Sequence, residues 1–559
     1  MSESRASSSS TPPSTPASAT PPRSSVSRDL GGETAPGANT APGTDSAPGT
    51  DSASGTDSAS GTDSASGTDS ASGTDSAPGT DSAPGTDSAS GTETAPGADV
   101  VPRREGRGGR AFTLRECHVL DRTGRFSEPC DLAVRDGIVR AVGRALPIDP
   151  EAIDVDARGL FVMPGVVDCH AHLTQSTYDP FELVTAPLST RFLQTAEALR
   201  ATLRAGVTWV RDAGGADAGV RDALATGTVP GPRLGVSVVA LSRNGRHGDG
   251  AILGPGLEST QDVLGPVYPD RPAHSASVAG DLPTAVRGVL RAGADWVMIY
   301  ASGGVMSTRP GFTELPFAPA ELAAAVAEAG RYGRPVMMHA LGARAVEAAV
   351  AAGARSIEHG IGLGERAAAA MAARGVTLVP TLSSYLDLAA LARTGVLPGW
   401  AVERAESTAA ALTETIAVAR AAGVRIALGS DARHRSRHGG NLAEISHLRR
   451  AGLTPPEALL AATSNGATLC SPGHGWPYAE SPAPAPDAPD HGVVGSGQGG
   501  TGGRRGRLAP GNVFDAIVLD TDPGDLSLFE RRDFVRGVFT AGQPVLAHPR
   551  LPPALARAC

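Results

Sequence analysis

Two imidazoles separated by one residue, His170 and His172, close a stretch that begins as the apolar run Phe161-Val162-Met163-Pro164-Gly165-Val166-Val167. Alternate side chains of a strand share a face, so a strand here sends both rings to one side, where two nitrogens converge on a point that can hold a metal ion. On its own the pair is equally compatible with two histidines that merely end a strand. The wider pattern decides: His339, His359 and Asp431 each follow a short apolar run in the same way. Imidazole and carboxylate together suit zinc, and a zinc site with one open position activates water for attack on a carbonyl or amidine carbon.

Residues this far apart need a scaffold that brings strand ends together. After residue 172, helical stretches alternate with short apolar strands, and the joints repeat as Ala205-Gly206-Val207, Ala292-Gly293-Ala294, Ala352-Gly353-Ala354, Arg374-Gly375-Val376 and Ala422-Gly423-Val424. A glycine between helix and strand fits a left-handed helix cap. The runs Val162 to Val167, Thr208 to Arg211, Leu234 to Ala240, Trp296 to Tyr300, Pro335 to His339, Ser356 to Glu358, Thr377 to Pro380 and Arg425 to Gly429 predict eight parallel strands. The fold class is therefore α/β, a (β/α)8 TIM-type barrel, whose functional face lies where its strands end.

Composition sets the remaining boundaries. Residues 1–110 carry a six-residue repeat of the type Ala-Pro/Ser-Gly-Thr-Asp-Ser, which has nothing apolar beyond alanine to bury and predicts a disordered tail. Short alternating strands with an Asp136-Gly137 hairpin signal fill 111–165, the barrel takes 166–470, and the Gly- and Pro-rich run 471–506 is a flexible excursion. Strand patterns resume over 507–550, so a small β-sandwich domain is built from both flanks of the barrel.

The 559 residues carry a net charge of -9, which argues against a nucleic-acid partner. No apolar run has the ~18 residues that a membrane span needs. The five scattered cysteines fit free thiols in a reducing compartment, and the N-terminus lacks a secretory apolar core, so the expectation is a cytoplasmic protein with a small-molecule substrate. A homo-oligomer is left open. All 49 basic residues are arginine, which excludes any chemistry that requires a lysine.

The segments Pro164-Gly165-Val166-Val167-Asp168-Cys169-His170-Ala171-His172, Val210-Arg211-Asp212-Ala213-Gly214-Gly215, Ala301-Ser302-Gly303-Gly304-Val305, Ile357-Glu358-His359-Gly360, Gly429-Ser430-Asp431-Ala432 and Leu508-Ala509-Pro510-Gly511 resemble, in this order and spacing, the amidohydrolase superfamily, in its prolidase-like and imidazolonepropionase-like branch. The resemblance implies that His170, His172, His339 and Asp431 contact a divalent metal. It makes His359 either a ligand of a second metal or a catalytic hydrogen-bond donor, and Asp431 the group that moves the proton. Two-metal members bridge their ions with a modified lysine, and the matching position here is Met298. A thioether is a poor zinc ligand. The expectation is one ion, zinc first and iron second.

The implied activity is hydrolysis of a carbon–nitrogen bond in a small amide, cyclic amide or amidine. A prolidase-like dipeptidase and a catalytically degenerate ligand-binding member are the alternatives. Substrate contacts are expected from Arg211, Arg246 and His247 on rim loops, from Tyr300 and Tyr385, and from the loop Arg433 to His438, with His438 singled out. The alternative for Arg211 is an internal ion pair with Asp212. Cys169 is expected to be a packing residue.

Overall fold

A computed structural model describes residues 111–179, 182, 185–243, 246–247, 281–305, 313–393, 399–470, 505–549 and 551–558. The repeat tail and nearly all of the 471–506 excursion lie outside these. Five strands come first: β1 (Phe112–Val119), β2 (Cys130–Arg135), β3 (Ile138–Gly143), β4 (Ile153–Asp156) and β5 (Phe161–Pro164). The parallel set follows: β6 (Val166–Ala171), β7 (Val207–Asp212), β8 (Arg233–Val236), β9 (Ala240–Leu241), β10 (Val297–Tyr300), β11 (Val336–Leu341), β12 (Ser356–Ile361) and β13 (Thr377–Val379). The chain ends its strands with β14 (Ala516–Leu519), β15 (Val535–Thr540) and β16 (Gln543–Ala547).

Strands from both ends of the chain share one sheet in the order β16-β15-β14-β5-β1-β2-β3, with β4 also on β1. The pairings fall into two groups that share β1, with β2, β3 and β4 in one and β5, β14, β15 and β16 in the other. The long β1 changes partners midway, pairing with β2 and β4 first and β5 last, around Glu116 with its left-handed φ of 59°. One apolar core, including Phe112, Leu132, Val162, Phe514 and Phe539, serves both halves. Asp136 and Gly137 have φ of 55° and 72°, the two positive values that the tight β2–β3 hairpin needs.

The run predicted as one strand from Val162 to Val167 is two strands in two sheets. β5 pairs antiparallel with β14, whereas β6 pairs parallel with β7, and the change falls at Gly165, whose N–H bonds Asp515 O at 2.9 Å. A Cβ at Gly165 would lie 2.3 Å from the Thr208 side chain, so only glycine allows β6 to start so close to β7. The expected strand Leu234 to Ala240 is likewise broken, by Val238 at φ 63°, into β8 and β9.

Parallel pairing runs through β6-β7-β8 and β9-β10-β11-β12-β13. Asp295 and Trp296 donate backbone N–H groups to Val236 O, joining the two groups. The segment expected as a strand from Arg425 to Gly429 makes an isolated bridge instead, Leu378 to Ile426, and with Cys169 N–H to Leu428 O and the bridge Ala171 to Ala432 just beyond it the circuit returns to β6. The result is a TIM-barrel-like α/β arrangement. The five glycine joints all have positive φ, and at Gly353 and Gly375 the left-handed residue caps the helices Ala343–Ala352 and Glu365–Arg374.

Inside this ring a buried apolar cluster contains Trp296 and Met298 of β10, Met337 of β11, Val379 of β13 and Ala427. No described helix is long and apolar enough to cross a membrane.

Candidate metal centre

Two residues beyond that apolar cluster the same strands turn polar. Met298 is followed by Tyr300, Met337 by His339, and Val379 by Thr381, because alternate residues of a strand share a face. Ligand atoms of His170, His359 and Asp431 all lie within 4.8 Å of one another, and all three residues are buried. His172 joins through Nε2, 3.4 Å from Asp431 Oδ1, and His170 Nε2 stands 3.6 Å from the same oxygen. His339 borders the group with its ring 4.6 Å from that of His359.

Each ring is held from behind by a hydrogen-bond partner. His170 Nδ1 lies 2.7 Å from Glu358 Oε2, and His172 Nδ1 lies 2.9 Å from Gly214 O. A carboxylate and a carbonyl only accept, so these nitrogens carry the hydrogen, and Nε2 of each ring faces Asp431. His359 Nδ1 lies 2.6 Å from Thr381 Oγ1, whose own hydrogen goes to Pro380 O at 2.7 Å. That hydroxyl must accept from His359, which leaves His359 Nε2 bare. In His339 the roles reverse: Nε2 donates to Gly303 O at 2.7 Å, so Nδ1 is the bare nitrogen. This second layer of acceptors is what metal-binding histidines need to fix tautomer and orientation.

Burial, first of all, keeps the rings of His172, His339 and His359 neutral. It pushes His172 down to about 3 and His339 to about 4. His359 is lowered too, by burial and then by its neighbour His339. Burial alone would raise the Asp431 carboxyl, but the Arg433 guanidinium and the histidines outweigh it and hold Asp431 well below the usual carboxylate range. Imidazole nitrogens that converge on an ionised carboxylate match the donor set of a divalent ion such as zinc, and the described residues fit that group.

Several of these residues stand in unusual backbone. His359, Thr381 and Asp431 have φ of 66°, 56° and 49°, in the left-handed region that non-glycine residues avoid. At His359 this breaks the alternation of β12, so that Glu358 and His359, adjacent in sequence, both serve the cluster. Asp168 fastens the neighbouring segments together: its carboxylate accepts from Ser430 N at 3.0 Å, His170 N at 3.1 Å and Asn441 Nδ2 at 2.8 Å.

The expected substrate residues separate into two groups. Tyr300 and His247 are in the cluster: the His247 ring lies 4.9 Å from His339 and 4.8 Å from Tyr300, and Tyr385 sits 5.3 Å from His359. Arg211 is not on a rim loop. It is fully buried on β7, where Nη2 bonds Glu358 Oε1 at 2.9 Å, Nη1 bonds Ser356 Oγ at 2.9 Å, and the guanidinium lies over Trp296. Its ion-pair partner is Glu358 and not Asp212, whose carboxylate instead accepts the N–H groups of Leu173, Gly214 and Ala216. Arg246 pairs with Glu314 at 2.6 Å. His438 is buried, and its Nε2 donates to Gln175 O at 2.8 Å rather than to the cluster.

Sequence reading gave no role to Glu358, Thr381 or Asp168, and placed Arg433 only as a lining residue. The adjacency of Glu358 to a candidate ligand and the Asp168-His170-His172 spacing were the available signals. Met298, at the strand position where the resemblance puts a lysine, is 1% exposed and lies in the apolar cluster.

The profile described as the Amidohydrolase family matches residues 161–473, more than half of the chain. The chain belongs to the amidohydrolase family. It is a hydrolase that acts on carbon–nitrogen bonds. This amidohydrolase is 30% identical over 429 residues to ochratoxinase of Aspergillus niger, a match that covers 74% of this chain and 82% of that protein. Among solved structures, a prolidase complexed with N-methylphosphonate-L-proline aligns with TM-score 0.66 and 29% identity over 78% of this chain and all of the other. The A. niger ochratoxinase structure aligns with TM-score 0.64 and 26% identity, over 80% and 98%.

Proposed function

We propose that this amidohydrolase uses a single divalent ion, zinc by the chemistry of its donors, to hydrolyse a carbon–nitrogen bond of a small amide, cyclic amide or amidine, and not of a long peptide. The observation that carries the reading is the set of ring nitrogens that converge on Asp431. A bound ion would supply an activated water at neutral pH and polarise the bond to be cleaved. His170, His172, His359 and Asp431 would hold it, with His339 alongside through Nδ1.

The chain's own groups then have distinct work. Asp431, ionised, takes a proton from the nucleophile and returns it to the leaving nitrogen. His359 acts as a ligand and not as a hydrogen-bond donor, because its one hydrogen is committed to Thr381. His247, Tyr300 and Tyr385 line the space above Asp431. Met298, and the absence of lysine, favour one ion over two. The wider reading remains a (β/α)8 barrel with a small two-flank β domain, in a cytoplasmic enzyme with a small-molecule substrate.

A dipeptidase of the prolidase kind is the second reading, and the likeness to the phosphonate–proline complex favours it. The test is elemental analysis of the full chain incubated with zinc, followed by a screen of cyclic amides, N-acyl amino acids and Xaa-Pro dipeptides. We expect about one zinc per chain and hydrolysis that a chelator abolishes. Turnover of Xaa-Pro alone would select the dipeptidase. Failure to bind metal under excess zinc would reject both and point to a ligand-binding descendant.

A further inference from the structure

We propose that Arg433 supplies the second positive charge of this site, set to face the oxygen of the scissile carbonyl, the position at which a two-ion enzyme has its other cation. The inference rests on the one-ion hydrolase reading above. Arg433 lies two residues beyond Asp431, on the segment that leaves the ring's ligand-bearing end. Its Nη2 bonds both oxygens of the buried Asp431 carboxylate. Nε is buried and has no hydrogen-bond partner among the described residues, although a buried donor left unpaired is costly. A guanidinium has five N–H donors in a fixed fork and no lone pair, so Arg433 cannot be a metal ligand, but it can serve a carboxylate with one arm and an oxygen with another.

The other cation inside the ring is already committed. Arg211 is neutralised by Glu358 and spends its remaining donors on Ser356 and Cys169 O. Met298 brings no charge, and no lysine exists in the chain to bring one. The field of Arg433, by contrast, reaches Tyr178, Tyr300, Tyr385 and His339. With 28% of its side chain exposed beside an Asp431 that is 2% exposed, it is accessible where the ligand it pairs with is not. In a water-poor site a fixed donor aimed at developing negative charge is worth far more than in water. The bonds of Nη2 to Asp431 anchor the guanidinium, so Nε needs no further support to present its hydrogen.

The experiment compares full-length wild type, Arg433→Met and Arg433→Lys, each loaded with zinc. Two quantities are read: calorimetric binding of methylphosphonate, a tetrahedral oxyanion, and kcat and KM for the best amide from the screen. For Arg433→Met we expect unchanged zinc content, methylphosphonate binding weaker by ~10-fold or more, and kcat lower by ~10²-fold with little change in KM. Arg433→Lys, which keeps the charge, should recover most of both. Unchanged methylphosphonate affinity in Arg433→Met overturns the proposal, as does a raised KM with kcat intact, which would make Arg433 a binding anchor. If Arg433→Met does not fold, a folded Arg433→Lys that behaves as a null overturns it equally. If wild type cleaves no amide, the hydrolase reading fails, while the methylphosphonate comparison still decides the role of Arg433.

Discussion

One step of two residues along the same strands separates an apolar tier from a titratable one. Met298, Met337 and Val379 fill the first; Tyr300, His339 and Thr381 stand in the second. The lower tier is held by shape and the loss of water-exposed area, which any residue of similar volume supplies. The upper tier is held by one-to-one hydrogen bonds, each useful only if its partner is present. Stability should therefore respond to volume below and to identity above.

The largest expected break comes from the upper tier. Asp431→Asn keeps the volume but removes the ligand charge and the proton carrier. Hydrolysis should fall by ~10³-fold or more, and zinc content should fall with it; turnover and elemental analysis check both. Next is Glu358→Gln. It leaves Arg211 buried without its counter-charge and gives His170 an ambiguous acceptor, so it should cost about 3–5 kcal/mol in denaturant unfolding and ~10–100-fold in zinc affinity. If Glu358→Gln unfolds like wild type, the two tiers do not differ as described.

Met337→Ala, in the lower tier, should cost about 3 kcal/mol and change kcat much less than either. A comparable loss of kcat would mean that packing below sets the ligand geometry above. The smallest effect is a pH slope in metal-free protein. Folded His339 and His172 take up protons only near 4 and 3, below the ordinary 6.5. Between these values the unfolded chain binds protons that the folded chain refuses, so stability falls as pH falls from 6.5 towards 4. Melting temperatures measured from pH 7 to pH 5 should drop, and His339→Asn should flatten the drop.

Strand ends made His170, His172, His339, His359 and Asp431 readable as candidates, and the fold brings the five together. What stayed hidden has a physical cause in each case. The Arg211–Glu358 pair joins residues 147 apart, so no local pattern marks it. Glu358 and His359 look like opposite faces of a strand until the left-handed turn at His359 is seen. The break of the first barrel strand at Gly165 depends on Thr208, which only the folded neighbour β7 brings near.

The left-handed backbone at His359, Thr381 and Asp431 has a consequence for heredity. Conformations of this kind cost of order 1–3 kcal/mol each, and glycine adopts them freely. A lineage selected for heat resistance alone would be drawn to glycine at these codons first, and would lose its chemistry before its fold. The three side chains stand where glycine would be the less strained choice, so the site holds its chemistry at a cost to stability.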